Sequence, residues 1–129
     1  MLALVNTPSG TGPGEIREGP EPAPAANEAL VEVRAFSLNR GELRLMQTRP
    51  EGWRPGQDIG GIVLQQAADG SGPAAGTRVV ALTDGAGWAQ RVAVPAHRMA
   101  ALPDNVRFEE AAALPVAGLT ALRTLRSSM

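Results

Sequence analysis

Hydrophobic and polar residues alternate most regularly at residues 29–36. Val31, Val33 and Ala35 share one face there, and Leu30, Glu32, Arg34 and Phe36 share the other, the period-two signature of a half-buried strand. The apolar run at residues 2–5 predicts a first short strand. Residues 58–66 (DIGGIVLQQ) predict another, with a glycine pair of the kind that marks a bulge or the close approach of a second backbone. Residues 77–83 and 88–94 predict two more around an Asp84-Gly85 turn. Between the first two strands runs a connector, residues 8–27, rich in Gly, Pro, Ala and Glu. Residues 14–17 can pair there as an edge strand, but Pro13, Pro20, Pro22 and Pro24 forbid a long one, so a wrapping loop is expected. Six short strands with turn signals predict a small barrel or sandwich.

Helical periodicity is confined to three places. Leu38, Leu43 and Met46 are spaced for one or two turns over residues 39–47, ended before Pro50. Trp53-Arg54-Pro55-Gly56 is a turn signal, and residues 67–76 are a loop by composition. After Pro103-Asp104, residues 108–114 (FEEAAAL) predict a short helix with acids in its first turn. Arg107 stands where a capping Ser or Thr is usual, so that helix start is expected to fray. Pro115 opens a second helix to about Arg126, with Val116, Leu119 and Leu122 on one face. An amphipathic helix closing a β-rich chain without a Gly or Pro stop predicts a junction to another unit.

Composition then narrows the chemistry. The 129 residues carry a net charge of -1 and are 43% hydrophobic, enough for one core. Cys, Lys and Tyr are absent, His97 is the single histidine, and all 12 basic residues are Arg. Disulfides, thiolate zinc sites, Cys nucleophiles and Schiff-base lysines are therefore excluded. The arginines are spread among 13 acids with no basic block, so neither nucleic acid nor a membrane surface is an expected partner. The N-terminal residues resemble neither a signal peptide nor a span, and a cytoplasmic location is expected.

Five segments carry a resemblance: SLNRGELRL at 37–45, PGQDIGGIV at 55–63, GTRVVAL at 76–82, GWAQRVAVPA at 87–96 and LPDNVRFEEAAALPVAGLTAL at 102–122. In this order they resemble the N-terminal catalytic domain of the medium-chain dehydrogenase/reductase superfamily, and within it the zinc-free quinone oxidoreductase and enoyl reductase branch. The resemblance covers essentially the whole chain. It implies a mainly β, GroES-like fold: a small, partly open β-barrel with short helices over residues 1–114, and a linking helix at 115–129 leading to an absent Rossmann domain. In zinc members the matching segments carry a Cys and a His ligand; Asn39 and Gln57 stand there, and ALTDGAG replaces the four-Cys loop. Neutral amides are poor Zn²⁺ ligands, so the resemblance implies NADPH as cofactor and no metal. Without a Lewis acid, alcohol oxidation loses its usual electrophile. Hydride addition to a quinone, enone or enoyl substrate demands less, because charge spreads over the acceptor and hydrogen-bond donors hold it.

The resemblance places Asn39 beside the nicotinamide, as the catalytic hydrogen-bond donor and as a cofactor contact together with Arg40 and Thr120. Arg44 stands where quinone oxidoreductases often have Tyr and is assigned to the substrate pocket, and Trp53, as an aromatic that can border such a pocket, is assigned there with it. On the residues alone, Asn39 also reads as a helix cap, Thr120 as a mid-helix residue and Arg44 as a solvated surface charge. Asp58 reads as a hydrogen-bonded structural carboxylate, Trp88 as a core anchor, Trp53 as partly exposed and His97 as a surface residue without function. No G-x-G-x-x-G fingerprint occurs, so pyrophosphate recognition is assigned to the absent Rossmann domain, and the isolated chain is expected to be inactive. A small-molecule substrate is expected, with a possible homodimer of the full-length protein. The alternative is a stand-alone GroES-like binding or assembly module whose last helix docks on a partner.

Overall fold

A computed structural model describes residues 1–129. The strands are β1 (Leu2–Asn6), β2 (Gly14–Glu18), β3 (Glu28–Phe36), β4 (Asp58–Gln65), β5 (Arg78–Leu82), β6 (Arg91–Pro95) and β7 (Met99–Ala101). The helices are α1 (Arg40–Thr48), α2 (Phe108–Ala112) and α3 (Pro115–Ser127), and a 3-10 turn spans Ala96–Arg98. Strands β6-β3-β4-β5-β7 form one antiparallel five-stranded sheet, and β1 pairs with β2 in a second sheet of two strands. An isolated bridge between Ala3 and Ala89 and a 2.9 Å bond from the Leu4 N–H to the Trp88 carbonyl tie the two sheets together. The barrel is thus partly open, as the mainly β reading requires. No helix is long and apolar enough to cross a membrane.

The core follows from the alternation. Ala29 and Val31 of β3 meet Ile59 and Val63 of β4, Val79 and Ala81 of β5, and Val92 and Val94 of β6 in one fully buried cluster. Burying each Val or Ile side chain contributes about 1.5–3 kcal/mol. The glycine pair of β4 admits two backbones. A Cβ on Gly60 would lie 2.7 Å from the Phe108 carbonyl oxygen, and one on Gly61 would lie 2.2 Å from that of Glu32. The first contact seats α2 on the sheet. The second coincides with the register shift of β3 against β4 between Val33 and Ala35.

Several expectations are corrected. The strands flanking Asp84-Gly85 do not pair with each other: β5 lies between β4 and β7, while β6 pairs with β3 at the far edge. The later strand also begins at Arg91 and not at 88, because Trp88 is turned into the core, where it stacks on Phe36 at 5.6 Å and donates Nε1–H to the Ser37 carbonyl. Strand β7 is an element that the pattern of residues did not predict, and the edge pairing foreseen at residues 14–17 is β2. Helix α1 is rotated relative to its apolar residues. Leu38 and Leu43 are exposed, and the buried positions are Glu42 and Met46.

Candidate functional site

Strand β3 ends at Phe36, and the chain turns through Ser37, Leu38 and Asn39 into α1, with Asn39 at the N-cap position in extended backbone conformation. Glu42, in the first turn, reaches back: its Oε2 accepts the Asn39 N–H at 2.9 Å, and its Oε1 accepts the Gln57 N–H at 2.7 Å. The carboxylate therefore ties the start of α1 to the approach to β4. It is 1% exposed. Burial pushes its carboxyl up from the ordinary value, against the two backbone N–H bonds, and the neighbouring Asp58 charge adds to the rise.

Asp58, the first residue of β4, is also 1% exposed. Its Oδ2 accepts the Ser37 hydroxyl at 3.0 Å and the Asn39 Nδ2–H at 2.9 Å, and its Oδ1 accepts the Val116 backbone N–H at 3.0 Å. Pro115 has no N–H, so Val116 offers the first free donor of α3. Asp58 is the structural carboxylate anticipated from the sequence. Thr83, buried in the strand end opposite, donates its hydroxyl to the Gly56 carbonyl at 2.6 Å and its N–H to the Gln57 carbonyl at 2.7 Å, fixing the turn that presents Gln57. A Cβ on Gly56, whose φ is +120°, would lie 2.4 Å from the Trp88 nitrogen.

The residues assigned to the site are not gathered into one pocket. Asn39 is half-buried against Asp58, while Arg40 and Arg44 are exposed on α1 without an ion-pair partner. Trp53 is partly exposed, with the Arg49 guanidinium 5.7 Å from its ring centre, and its carbonyl accepts the Asn6 N–H at 2.7 Å. Thr120 is exposed in the middle of α3, where its carbonyl accepts the Thr124 hydroxyl. The main groove runs between α3 and the β5–β7 edge, lined by Leu82, Met99, Leu114, Leu119 and Leu122, with His97 exposed at its rim. A second lies over Phe36 and Trp88. None of the five assigned residues lines either groove. The sequence reading also overlooked Glu42 and Thr83. For Glu42 a signal was present, since Asn39 and Glu42 have the Asn-x-x-Glu spacing of a capping box. For Thr83 there was none.

A family model of the alcohol dehydrogenase GroES-like domain matches residues 25–104. The chain belongs to that family. It is 35% identical over 116 residues to the chloroplast envelope quinone oxidoreductase homolog of Arabidopsis thaliana, covering 82% of this chain and 35% of that protein. It is 30% identical over 135 residues to the trans-enoyl reductase tazE of Aspergillus terreus, covering 89% and 44% respectively. Among solved structures it is similar to the quinone oxidoreductase of Thermus thermophilus, studied also in complex with NADPH, with a TM-score of 0.82, 32% identity and coverage of 98% of this chain and 41% of that one. The GroES-like domain thus spans less than half the length of each of these relatives. The family and fold implied by the five motifs stand, including the mainly β architecture.

Proposed function

We propose that this GroES-like domain is the substrate-side domain of a zinc-independent, NADPH-dependent oxidoreductase that reduces a quinone, enone or enoyl substrate by hydride transfer. The observation that carries the reading is the state of the Asn39 amide. One N–H is held by Asp58, the capping box of α1 engages the same side chain through Glu42, and the residue stays half-buried. A carboxylate only accepts, so the amide nitrogen must face Asp58. The amide is thus a neutral group held in a fixed orientation, of the kind that complements a nicotinamide carboxamide or a carbonyl oxygen gaining charge.

The residues fit the nicotinamide end of the cofactor and not its phosphates. Asn39, Arg40 and Thr120 would hold that end, and Arg44 and Trp53 would border the substrate; when bound, the cofactor supplies the hydride. Phosphates favour helix N-termini, but the N-terminus of α1 already carries Glu42 and that of α3 carries Asp58. Pyrophosphate recognition is therefore assigned to a further domain. The same bonds support the zinc-free reading. Asn39 and Gln57 are amides, and the two nearby carboxylates are engaged, Glu42 by two backbone N–H groups and Asp58 by three donors.

The test is to express the whole coding sequence of the gene and follow NADPH consumption with a quinone, an enone and an enoyl thioester. Consumption with one of them, lowered at least tenfold by Asn39→Ala at a temperature where that variant stays folded, is the expected result. A gene that stops at Met129 and encodes no NADPH oxidation would favour the stand-alone binding module and sink the enzyme reading.

A further inference from the structure

We infer that Asp58 is a positioning residue that sets the orientation of the Asn39 amide and the seat of α3 through one carboxylate. Its relevance to catalysis rests on the function proposed above; the coupling itself rests on geometry. Three elements distant in sequence meet on this side chain: Ser37 just after β3, Asn39 at the start of α1, and Val116 in the first turn of α3, 58 positions away from Asp58. The carboxylate is buried, planar and acceptor-only, and its two oxygens are divided between these partners. Oδ2 serves Ser37 and Asn39, and Oδ1 serves α3.

Two consequences follow. Asp58 holds the polarity of the Asn39 amide together with the capping box to Glu42, because turning that amide over would bring two acceptor oxygens together in a buried place. It also links that polarity to the helix carrying Thr120, because a tilt of α3 that carries the Val116 N–H away rotates the carboxylate plane against the Asn39 nitrogen. Helix α3 has few other anchors of this kind. Leu119, Leu122 and Leu125 on it are all more than a third exposed, and Pro115 is its only buried residue. Asn39 and the helix that carries Thr120 are thus tied to one buried carboxylate.

The experiment uses the isotopically labelled chain and reads the Asn39 side-chain NH₂ resonances together with amide exchange at Val116, Val79 and Val92. In Asp58→Asn both Asn39 resonances are expected to shift, and exchange at Val116 to quicken about tenfold or more, the scale of one hydrogen bond to a charged group. Exchange at Val79 and Val92 should change far less. Val116→Pro removes the helix donor at the second position of α3, and the amides from Leu119 onward report whether the helix persists. This variant should move the Asn39 resonances although it alters neither Asn39 nor Asp58, and it decides the question alone should Asp58→Asn fail to fold. Unmoved Asn39 resonances in Val116→Pro, or exchange at Val79 rising in step with Val116, would overturn the inference. Reduced nicotinamide mononucleotide is then titrated against the same resonances, with a response about tenfold weaker in Val116→Pro than in the unmodified chain. No response in the unmodified chain would count against the proposed function, while the resonance shifts still decide the coupling.

Discussion

Glu42 and Gln57, fifteen residues apart, are joined by a 2.7 Å hydrogen bond from the Gln57 backbone N–H to Glu42 Oε1. The other oxygen of the same carboxylate closes on Asn39. The positions that bear metal ligands in the zinc relatives, by the resemblance of the motifs, are here held together through their backbones by one buried acid.

Glu42 gives a pH dependence whose sign can be worked out. Its folded-state pKa is raised, chiefly by burial, so the folded chain binds the proton more readily than the unfolded chain. The stability this contributes is fully present below the unfolded value and is lost as pH rises through the folded one. Glu42→Gln removes the titration and sets an NH₂ group against one of two backbone N–H donors, at a cost of about 1–3 kcal/mol. Urea unfolding between pH 4 and neutrality should show the gap between the unmodified chain and Glu42→Gln narrowing as pH rises. A widening gap would contradict the assignment.

Asn39→Asp should be worse than Asn39→Ala at neutral pH. Alanine takes one of three donors from Asp58, a loss of about 1–2 kcal/mol. Aspartate puts a second carboxylate at the 2.9 Å position of the lost amide nitrogen, and two such groups without a cation do not both ionise cheaply. One of them takes up a proton with a raised pKa, so the extra destabilisation is present at neutral pH and disappears on acidification. Thermal midpoints at pH 7 and pH 4.5 check this; an Asn39→Asp midpoint equal to that of Asn39→Ala at pH 7 would show that the two carboxylates do not meet.

The glycines of β4 predict two different failures. Gly60→Ala drives a methyl against the Phe108 carbonyl and should loosen α2, whereas Gly61→Ala drives one against the Glu32 carbonyl and strains the β3–β4 pairing itself. Overpacking of this kind costs about 1–3 kcal/mol where neighbours can shift and more where they are backbone. Hydrogen exchange should therefore quicken around Ala111 in the first variant and across Val31 and Val63 in the second. Equal effects on both regions in both variants would refute the distinction.

Much of this fold could be read from periodicity. Val31 and Val33 announce β3 by alternation, and Gly60-Gly61 announce a close backbone that the structure identifies as Phe108 on one side and Glu32 on the other. The pairing of β5 and β6 could not be read, because strand order is set by contacts between distant residues and not by the turn between neighbours. Glu42 shows the limit most plainly. Periodicity favours burying Leu43, yet the acid goes inside because two backbone donors, Asn39 and Gln57, need an acceptor there and no other side chain supplies it. The chemistry of Asn39 was legible as a residue type in a motif; the polarity of its amide was not, since it depends on Asp58, nineteen positions on.

The connector between β2 and β3 is fastened by Glu21 and Arg91, whose two hydrogen bonds are both 2.6 Å long. The Arg91 guanidinium holds the Glu21 carboxyl down at about 2, so any stability from the pair is present above the ordinary carboxylate range and fades as pH falls from about 4.5 towards 2. Both side chains are solvent-accessible, and screening keeps the global effect small. Glu21→Gln should leave the unfolding midpoint nearly unchanged while speeding proteolytic cleavage within residues 19–27, and raised salt should have the same effect on the unmodified chain. Cleavage rates insensitive to both would show that the prolines alone restrain the loop.

The division of cofactor recognition is the sharpest prediction for the chain alone. Affinity for a dinucleotide comes largely from phosphates on free helix N-termini, where backbone N–H groups and the helix dipole attract negative charge. Here Glu42 closes back on the N-cap of α1, and Asp58 takes the first free N–H of α3. Helix α2 is only five residues long and starts behind the Arg107–Glu110 ion pair. An incoming phosphate would have to displace a buried carboxylate of its own sign. The 129-residue chain should therefore show no NADPH binding by calorimetry, and NADPH and reduced nicotinamide mononucleotide should perturb the Asn39 and Thr120 resonances with similar, weak affinities, because only their common end has partners. Micromolar NADPH binding, or a large preference for NADPH over the mononucleotide, would mean that phosphate recognition resides in this domain after all and would move the search to the arginines of α1.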